Sequence, residues 1–135
     1  MKVNCNFPIA QYTLTSVSSE TRRKLAAAGK QIEDFFKKHS ANQYLLIIEG
    51  QASYDNDKLT WSNYELSFKR AAALAVFWQA TCKLDFGSKC ELQIAGSGDG
   101  RFNPNSIREA NEVSNQRFLI YIIPKNILNK QQDIE

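Results

Sequence analysis

The stretch Ser62-Asn63-Tyr64-Glu65-Leu66-Ser67-Phe68-Lys69-Arg70 contains a helix start followed by a misplaced charge. Ser62 and Glu65 have the spacing of a capping box, which predicts a helix from about residue 63 to residue 84. The positions with helical i, i+3/i+4/i+7 spacing are Leu66, Arg70, Ala73, Phe77 and Leu84. Arg70 therefore begins on the apolar stripe. Because a guanidinium keeps its charge and is costly to bury unpaired, we expect Arg70 to reach water or to bind a carboxylate.

A buried strand and a polar loop precede this helix. Tyr44–Ile48 is a continuous apolar run, typical of a central strand covered on both faces. The loop that follows lies at the carboxyl end of that strand, a common place for a ligand site in α/β sheets. Its polar residues include Gln51, Ser53, Tyr54, Asp55 and Asp57. An arginine binds a carboxylate through two parallel hydrogen bonds, and an aspartate can hold an ammonium. Arg70 and this loop would thus recognise a zwitterionic group; the alternative is an internal Asp–Arg ion pair.

The remaining elements are predicted from apolar spacing and turn residues. We expect an edge strand within 7–14, a helix capped by Ser18 or Ser19, a strand at 90–95, a short helix at 106–113 and a strand at 117–123 that Pro124 stops. The face of the first helix comprises Leu25, Ala28, Ile32, Phe35 and His39. Crossover helices between the first strands favour parallel pairing among them.

Composition excludes several classes of protein. The chain has 135 residues, 43% hydrophobic and 23% charged, as expected for one soluble globular domain. The net charge of +3 comes without a basic stripe, so nucleic acid is not an expected partner. Residues 1–10 lack the features of a signal peptide, and no run approaches the ~20 apolar residues that span a bilayer. We expect either a cytoplasmic chain or a soluble piece of a longer, exported protein.

An enzyme, a metal site and a cofactor are not expected. The chain has one histidine, His39, interpreted as a cation at a helix C-terminus. Cys5, Cys82 and Cys90 fit no zinc pattern; a Cys82–Cys90 disulfide and free thiols both remain open. The run from Gly96 to Gly100 lacks the Gly-Lys-Ser/Thr of a phosphate loop and is interpreted as a turn that needs positive φ.

Four segments together carry a family resemblance. They are Ile47-Ile48-Glu49-Gly50-Gln51-Ala52-Ser53; Asn63-x-x-Leu66-Ser67-x-x-Arg70-Ala71; Ala95-Gly96-Ser97-Gly98 with Pro104; and Asn115-Gln116-Arg117-Phe118. In this order they resemble the OmpA-like C-terminal domain, a family that includes the peptidoglycan-binding part of MotB-type stator proteins and the peptidoglycan-associated lipoproteins. The resemblance covers about residues 44–124, and the helix segment is its most specific piece.

The resemblance implies a non-catalytic domain that grips the peptide stem of peptidoglycan. In typical members, the Asp of a Gly-His-Thr-Asp motif and the Arg of the helix motif hold the diaminopimelate residue. Arg70 matches that Arg, and Asn63 and Leu66 match the positions that open the helix. Arg117 matches the second Arg of the family's Asn-Arg-Arg, and Gln116 replaces the first.

The family's aspartate has no simple match in this chain. Counting forward from the glycine that ends the strand, its place is taken by Ser53; counting back fifteen positions from Arg70 gives Asp55. Asp55 can pair with an ammonium, whereas Ser53 cannot. We therefore expect Arg70 to bind a carboxylate of the stem peptide and Asp55, or else Ser53, to meet its amine, with Gln51 and Ala52 beside them.

The resemblance also implies the architecture. We expect an α/β fold, specifically an α+β two-layer sandwich ordered β-α-β-α-β-(α)-β, with a mixed four-stranded sheet and helices on one face. Residues 1–124 would form the single domain, and residues 125–135 a polar tail.

Two functions follow as expectations. In the first, the domain binds the stem peptide and anchors an attached membrane protein or envelope complex to the bacterial cell wall, in the periplasm. In the second, it is an interaction module that keeps the fold without wall binding and contacts a protein or a second copy of itself, as a homodimer.

Overall fold

The computed structural model describes residues 1–8, 10–54, 60–101 and 107–128. The strands are β1 Lys2–Asn4, β2 Tyr44–Gln51, β3 Cys90–Gly96 and β4 Arg117–Pro124; the helices are α1 Ser19–Lys38, α2 Thr60–Val76 and α3 Lys125–Leu128. Short 3₁₀ turns lie at Leu14–Ser16 and Glu112–Asn115, and a π-helical turn, Phe77–Thr81, extends α2. The sheet order is β1-β4-β2-β3, in which β2 and β3 are parallel and the other pairs antiparallel. The predicted mixed four-stranded sheet is confirmed.

The N-terminal strand was misplaced by the sequence pattern. The described residues of 7–14 (7–8 and 10–14) do not form the edge strand; Lys2–Asn4 does, and it pairs with β4 rather than with β2. Pro8 lacks the N–H that a ladder needs, and the pairing stops at the hydrogen bond from Cys5 N to Gln116 O. The prediction of parallel pairing among the first strands is therefore wrong for β1. It is confirmed for β2 and β3, which are connected by the crossover through α2.

Helix α1 begins and ends as expected. Ser18 is the N-cap, and its hydroxyl oxygen accepts from Thr21 N at 3.1 Å. His39 is the C-cap. The buried aromatic ring of this helix is Phe36, not Phe35, which is partly exposed and packs edge-on against Tyr44.

Helix α2 begins earlier than predicted. It starts at Thr60, so Ser62 and Glu65 lie inside the helix rather than at a cap. The π-helical turn ends it at Thr81 rather than at residue 84. Its buried face comprises Asn63, Ser67, Arg70, Ala71, Leu74, Ala75 and Trp78. The sequence pattern placed Leu66 and Ala73 on the buried face, but both are only partly buried. Arg70 does lie on the buried face, as predicted.

Both long helices pack on the same face of the sheet, around Trp78. This side chain is fully buried, and its Nε1 donates to Leu25 O at 2.7 Å. A Cβ at Gly29 would lie 2.5 Å from that nitrogen. The contact therefore requires glycine on α1, and it fixes the position of α2 against α1.

Two paired glycines bring α2 against the carboxyl ends of β2 and β3. Gly50 and Gly96 are neighbours in the parallel ladder. A Cβ at Gly50 would overlap the Ser67 carbonyl oxygen, and one at Gly96 would lie 2.6 Å from Phe68 N. The backbone of α2 thus rests on the strand ends, which places residues 63–70 at the edge where a ligand site was expected.

Other expectations fell partly outside the described residues. The short helix predicted at 106–113 is wrong for 107–111, which are not helical; a 3₁₀ turn follows at Glu112–Asn115. The polar tail begins with the short helix α3, and residues 129–135 lie outside the described part.

Cys5, Cys82 and Cys90 are free thiols, and burial raises the pKa of Cys5 to about 12. None of the described helices is both long and apolar enough to cross a membrane.

Glu33 links α1 to the segment after α2 and should make stability depend on acid pH. Its carboxylate accepts from Lys30 and Lys37 and from Asp85 N. The Lys30 hydrogen bond, followed by the Asp85 amide, lowers the Glu33 pKa from 4.5 to about 2. A lowered pKa contributes stability above pH 4.5 that is lost as the pH falls toward 2. We expect Glu33→Gln to lower the melting temperature at pH 7 and to differ progressively less from the wild type between pH 4.5 and 2.

Thermal unfolding at a series of pH values measures this effect. Asp34→Asn, which removes a half-exposed partner of Lys30 on the same helix, serves as the control and should show a much smaller change. A melting difference for Glu33→Gln that stays constant from pH 7 to pH 2 would contradict the assignment.

Candidate functional site

Arg70 is a buried cation covered by the N-terminal segment. The residue is only 5% exposed. Its Nε donates to Gln11 O at 2.9 Å, and its Cζ lies 4.5 Å from the centre of the Phe7 ring. Burial lowers the Arg70 pKa to about 10. Residues 5–8 and 10–12, called the covering segment below, therefore supply a carbonyl and an aromatic face but no negative charge.

The two terminal nitrogens of Arg70 remain available. Among the described residues, neither Nη1 nor Nη2 has a hydrogen-bond partner, and no acid forms an ion pair with Arg70. No side-chain nitrogen in the described part is both fully buried and without a partner, so these two nitrogens reach solvent. The internal Asp–Arg pair considered from the sequence is thus not found within residues 1–8, 10–54, 60–101 and 107–128. Within those ranges the two terminal donors of Arg70 are unoccupied, and their geometry suits a carboxylate acceptor.

A small cavity lies between the covering segment and α2, and Arg70 itself is not part of its lining. Its volume is about 160 Å³. It is lined by Ala10, Tyr12, Ser62, Asn63, Glu65, Leu66 and Lys69. These residues flank both Arg70 on the helix and its acceptor Gln11 on the segment. The cavity contains both predicted helix-opening residues, Asn63 and Leu66.

Asn63 is held by an aspartate that sequence reasoning missed. Its Nδ2 donates to Asp99 Oδ2 at 2.9 Å. The Asp99 side chain is fully buried and also accepts from the N–H and the Nε of Arg101. Gly98 and Gly100 adopt φ of 64° and 79°, which confirms the prediction of a turn needing positive φ. The signal available in the sequence was an acid enclosed by two glycines, in a loop that follows a strand.

The side chains of Gln51 and Arg117 are hydrogen-bonded to each other. Arg117 Nε donates to Gln51 Oε1 at 2.8 Å, and Arg117 Nη1 pairs with Glu109 at 3.0 Å. Gln51 Nε2 donates to Ile107 O at 2.7 Å. Both predicted ligand residues are buried, and this network ties the ends of β2 and β4 to residues 107–109.

Ala52 and Ser53 follow β2 and are also held internally. Ala52 N donates to Gly98 O at 2.8 Å, and Ala52 O accepts from Arg108 Nη2 at 2.9 Å. Arg108, which no sequence pattern singled out, also pairs with Glu112 at 2.9 Å. Ser53 Oγ accepts from Gln116 Nε2 at 3.0 Å. Asp55, the other candidate for the family's aspartate position, lies outside the described residues, as does Asp57.

Solved structures of three bacterial envelope proteins share this arrangement of sheet and helices. The periplasmic domain of Helicobacter pylori MotB (residues 97–256) matches with a TM-score of 0.61 and 18% identity, covering 96% of this chain and 86% of that one. An outer membrane protein of Borrelia burgdorferi matches with a TM-score of 0.58 and 20% identity, covering 91% and 85%. The peptidoglycan-associated lipoprotein of Burkholderia pseudomallei matches with a TM-score of 0.56 and 17% identity, covering 90% and 88%.

The chain has the fold of an OmpA-like C-terminal domain. No protein-family model matches the sequence, and no curated protein sequence is significantly similar to it. At identities below 25%, the structural likeness establishes the fold, whereas the roles of individual residues must be argued from this chain itself.

Within this domain, the predicted site residues fall into two groups. Asn63, Leu66 and Arg70 lie together on α2; Asn63 and Leu66 line the small cavity, and Arg70 donates to Gln11 O, between the lining residues Ala10 and Tyr12. Gln51, Ala52, Ser53 and Arg117 lie at the ends of β2 and β4, each in hydrogen bonds within the chain. The Gly98–Asp99 turn joins the groups, because it contacts both Ala52 and Asn63. In the first group, the terminal nitrogens of Arg70 have no partner among the described residues, whereas Asn63 is held by Asp99. The second group supports the first.

Proposed function

We propose that this OmpA-like domain binds the stem peptide of peptidoglycan without catalysing a reaction, and so holds an attached membrane protein or envelope complex to the cell wall in the periplasm. The observation that carries the proposal is the Nη1/Nη2 pair of Arg70, which has no hydrogen-bond partner among the described residues and belongs to the helix that lines a small cavity. The fold supports it, because solved structures with this fold include a peptidoglycan-associated lipoprotein.

The geometry around Arg70 suits a carboxylate. Nε is engaged by Gln11 O, so a carboxylate would approach the end of the guanidinium and accept one hydrogen bond from each terminal nitrogen. That approach leaves the covering segment in place. The carboxylate would also relieve the unfavourable burial of a cation that the described part of the chain does not pair with an acid.

The amine of the same ligand group needs a negative partner. Asp55 is our candidate for that role, with Ser53 as the weaker alternative because a hydroxyl carries no charge. Within the described residues, Glu65 is the acid that lines the cavity. A diaminopimelate side chain, which ends in both a carboxylate and an ammonium, would match this pairing of Arg70 with an acid.

Sedimentation with intact sacculi tests the proposal. We expect the wild-type domain to pellet with sacculi and to be released by free stem peptide containing diaminopimelate. The matched competitor is the same peptide with the side-chain carboxylate of diaminopimelate amidated, which should release much less protein. A domain that remains in the supernatant, or that both peptides displace equally, would contradict the assignment to Arg70.

The second candidate is an interaction module that keeps the fold without wall binding. The observation that favours it is the covering segment, which already supplies Arg70 with a carbonyl and a ring. Absence from the sacculus pellet together with retained protein–protein association would support this function instead.

A further inference from the structure

A second cavity lies at the end of the sheet opposite to Arg70. Its volume is about 370 Å³, within the range of small-molecule sites in proteins. Tyr44 and Cys90, the paired first residues of β2 and β3, line it together with the end of α1 and the loop before β3. Gly50 and Gly96 lie six residues further along the same two strands, a distance of roughly 20 Å. The cavity is therefore separate from the site proposed for the stem peptide.

The inner wall of this cavity consists of aromatic rings. Phe36 packs against Tyr44 at 5.4 Å and against Phe86 at 6.1 Å, measured between ring centres. These three residues are buried, yet each of them lines the cavity. Rings that pack against one another hold their positions, so they form a preformed apolar wall. Such a wall favours a ligand with a flat apolar group.

The polar groups lie at the rim. The exposed residues that line the cavity include His39, Ser40, Asn42, Ser88 and Lys89. The Nζ of Lys89 donates to Ser40 O at 2.8 Å, and no acid among the described residues forms an ion pair with Lys89. Because an ammonium group has three N–H donors, Lys89 has donors left for a ligand at the rim.

The charges around the cavity favour an anion. None of the described residues that line it is acidic, and burial raises the pKa of Cys90, which therefore stays an uncharged thiol at neutral pH. The carbonyl groups at the C-terminal end of a helix repel anions, but here they have donors within the chain. His39 O accepts from Asn42 N at 3.3 Å, and Ser40 O accepts from Lys89.

The mouth of the cavity is open on the side of the loop before β3. Gly87 of this loop lines the cavity, and an added Cβ there would have no neighbouring atom within 4 Å. Asp85 is the acid of the same loop, but it does not line the cavity. Its Oδ1 accepts from Gly87 N at 2.9 Å, which keeps this carboxylate within the turn. A ligand can therefore enter without passing a negative charge of the lining.

We propose that this cavity is a second ligand site, which binds a small organic acid with its flat apolar body against the aromatic wall and its carboxylate on Lys89. A cationic ligand would have no acidic partner among the described lining residues, and a neutral one would gain the apolar contacts alone. Since the cavity and Arg70 lie at opposite ends of the strands, the two sites can be occupied together. The inference therefore does not depend on wall binding.

A titration followed by backbone amide chemical shifts tests the site in the wild-type domain. The probe is hydrocinnamate, a phenyl ring on a short carboxylate chain, and its matched neutral analogue is hydrocinnamamide. We expect saturable shifts at residues 36–44 and 86–90, with a Kd for the carboxylate about tenfold lower than for the amide, the gain of one hydrogen bond to a charged group. No saturable shift in these segments, or equal Kd values for the two probes, would overturn the proposal.

Two lysine variants locate the carboxylate. Lys89→Met removes the charge but keeps an unbranched side chain at an exposed position, so it should bind hydrocinnamate no more tightly than hydrocinnamamide. The matched control is Lys38→Met, which changes an exposed lysine at the end of α1 that does not line the cavity. This control should keep the wild-type preference. A Lys89→Met variant that keeps the preference too would overturn the assignment of the carboxylate to Lys89.

Thiol alkylation provides a second measurement. Cys90 lines the cavity, whereas Cys82, which is also partly exposed, does not. Saturating hydrocinnamate should slow the reaction of Cys90 with N-ethylmaleimide and leave that of Cys82 unchanged, as measured by mass spectrometry of tryptic peptides. Equal slowing of both thiols, or of neither, would count against the site. Arg70→Ala should bind hydrocinnamate like the wild type, which keeps this test separate from that of wall binding.

Discussion

Replacing Arg70 with alanine should weaken muropeptide binding by about 2–5 kcal/mol, which corresponds to roughly 30- to 5,000-fold in Kd. The loss would be large because the carboxylate of the ligand would keep its desolvation cost while losing both hydrogen bonds of the guanidinium fork. Arg70→Lys should lose a substantial part of the affinity as well, since an ammonium keeps the charge but cannot present two parallel donors. Isothermal titration with a purified muropeptide measures each Kd.

The matched control is Arg23→Ala, which removes an arginine from the solvent-facing side of α1 and should leave the Kd unchanged. Circular dichroism before each titration establishes that the variants are folded. Unchanged affinity in a folded Arg70→Ala variant would remove Arg70 from the site, whatever the sacculus experiment shows.

Replacing Gly50 with alanine should destabilise the domain by roughly 3 kcal/mol or more, at the upper end of overpacking penalties. The new methyl group would overlap the backbone carbonyl oxygen of Ser67, and a backbone atom cannot move aside as a flexible side chain can. The helix would have to lift from the strand ends, which displaces Asn63 and Arg70. Chemical denaturation should therefore report lower stability, and titration should report weaker muropeptide binding.

Gly87→Ala separates this steric effect from backbone strain. Gly87 has a φ of 86°, yet a methyl group added there would have no neighbouring atom within 4 Å. Alanine at this position should therefore cost only about 1–2 kcal/mol and leave binding intact. If both variants lost equal stability and equal affinity, the close approach of α2 to β2 would not be what positions the site.

The parts of the fold that sequence periodicity indicated correctly are those whose neighbours are apolar. The apolar run at 44–48, the alternation that begins at Cys90 and the cap at Ser18 each lie within a few consecutive residues, so local sequence was enough to predict these elements. The edge strand failed because three residues, Lys2–Asn4, pair with β4, which is more than a hundred positions away in the chain. Short segments of this kind carry too little pattern to be recognised without their partner.

Only some of the residues in the candidate site could be predicted from the sequence. Arg70 stood out because a charge on an apolar stripe is rare, and Asn63 and Leu66 came from the motif around it. Asp99 was missed, because its role depends on a tertiary hydrogen bond to Asn63 that no spacing encodes. Gln51 and Arg117 were recognised as special, yet their mutual hydrogen bond shows that a polar residue at a strand end can be special for support alone.

The backbone of the covering segment is strained at Ala10. Its φ of 61° lies in the left-handed region, which costs an alanine of order 1 kcal/mol, and the next residue, Gln11, supplies the carbonyl that holds Arg70. Closure over the cation therefore stores a little conformational energy in the backbone. The side chain at this one position therefore sets how firmly the Gln11 carbonyl is held on the guanidinium, while every group proposed to touch the ligand stays the same.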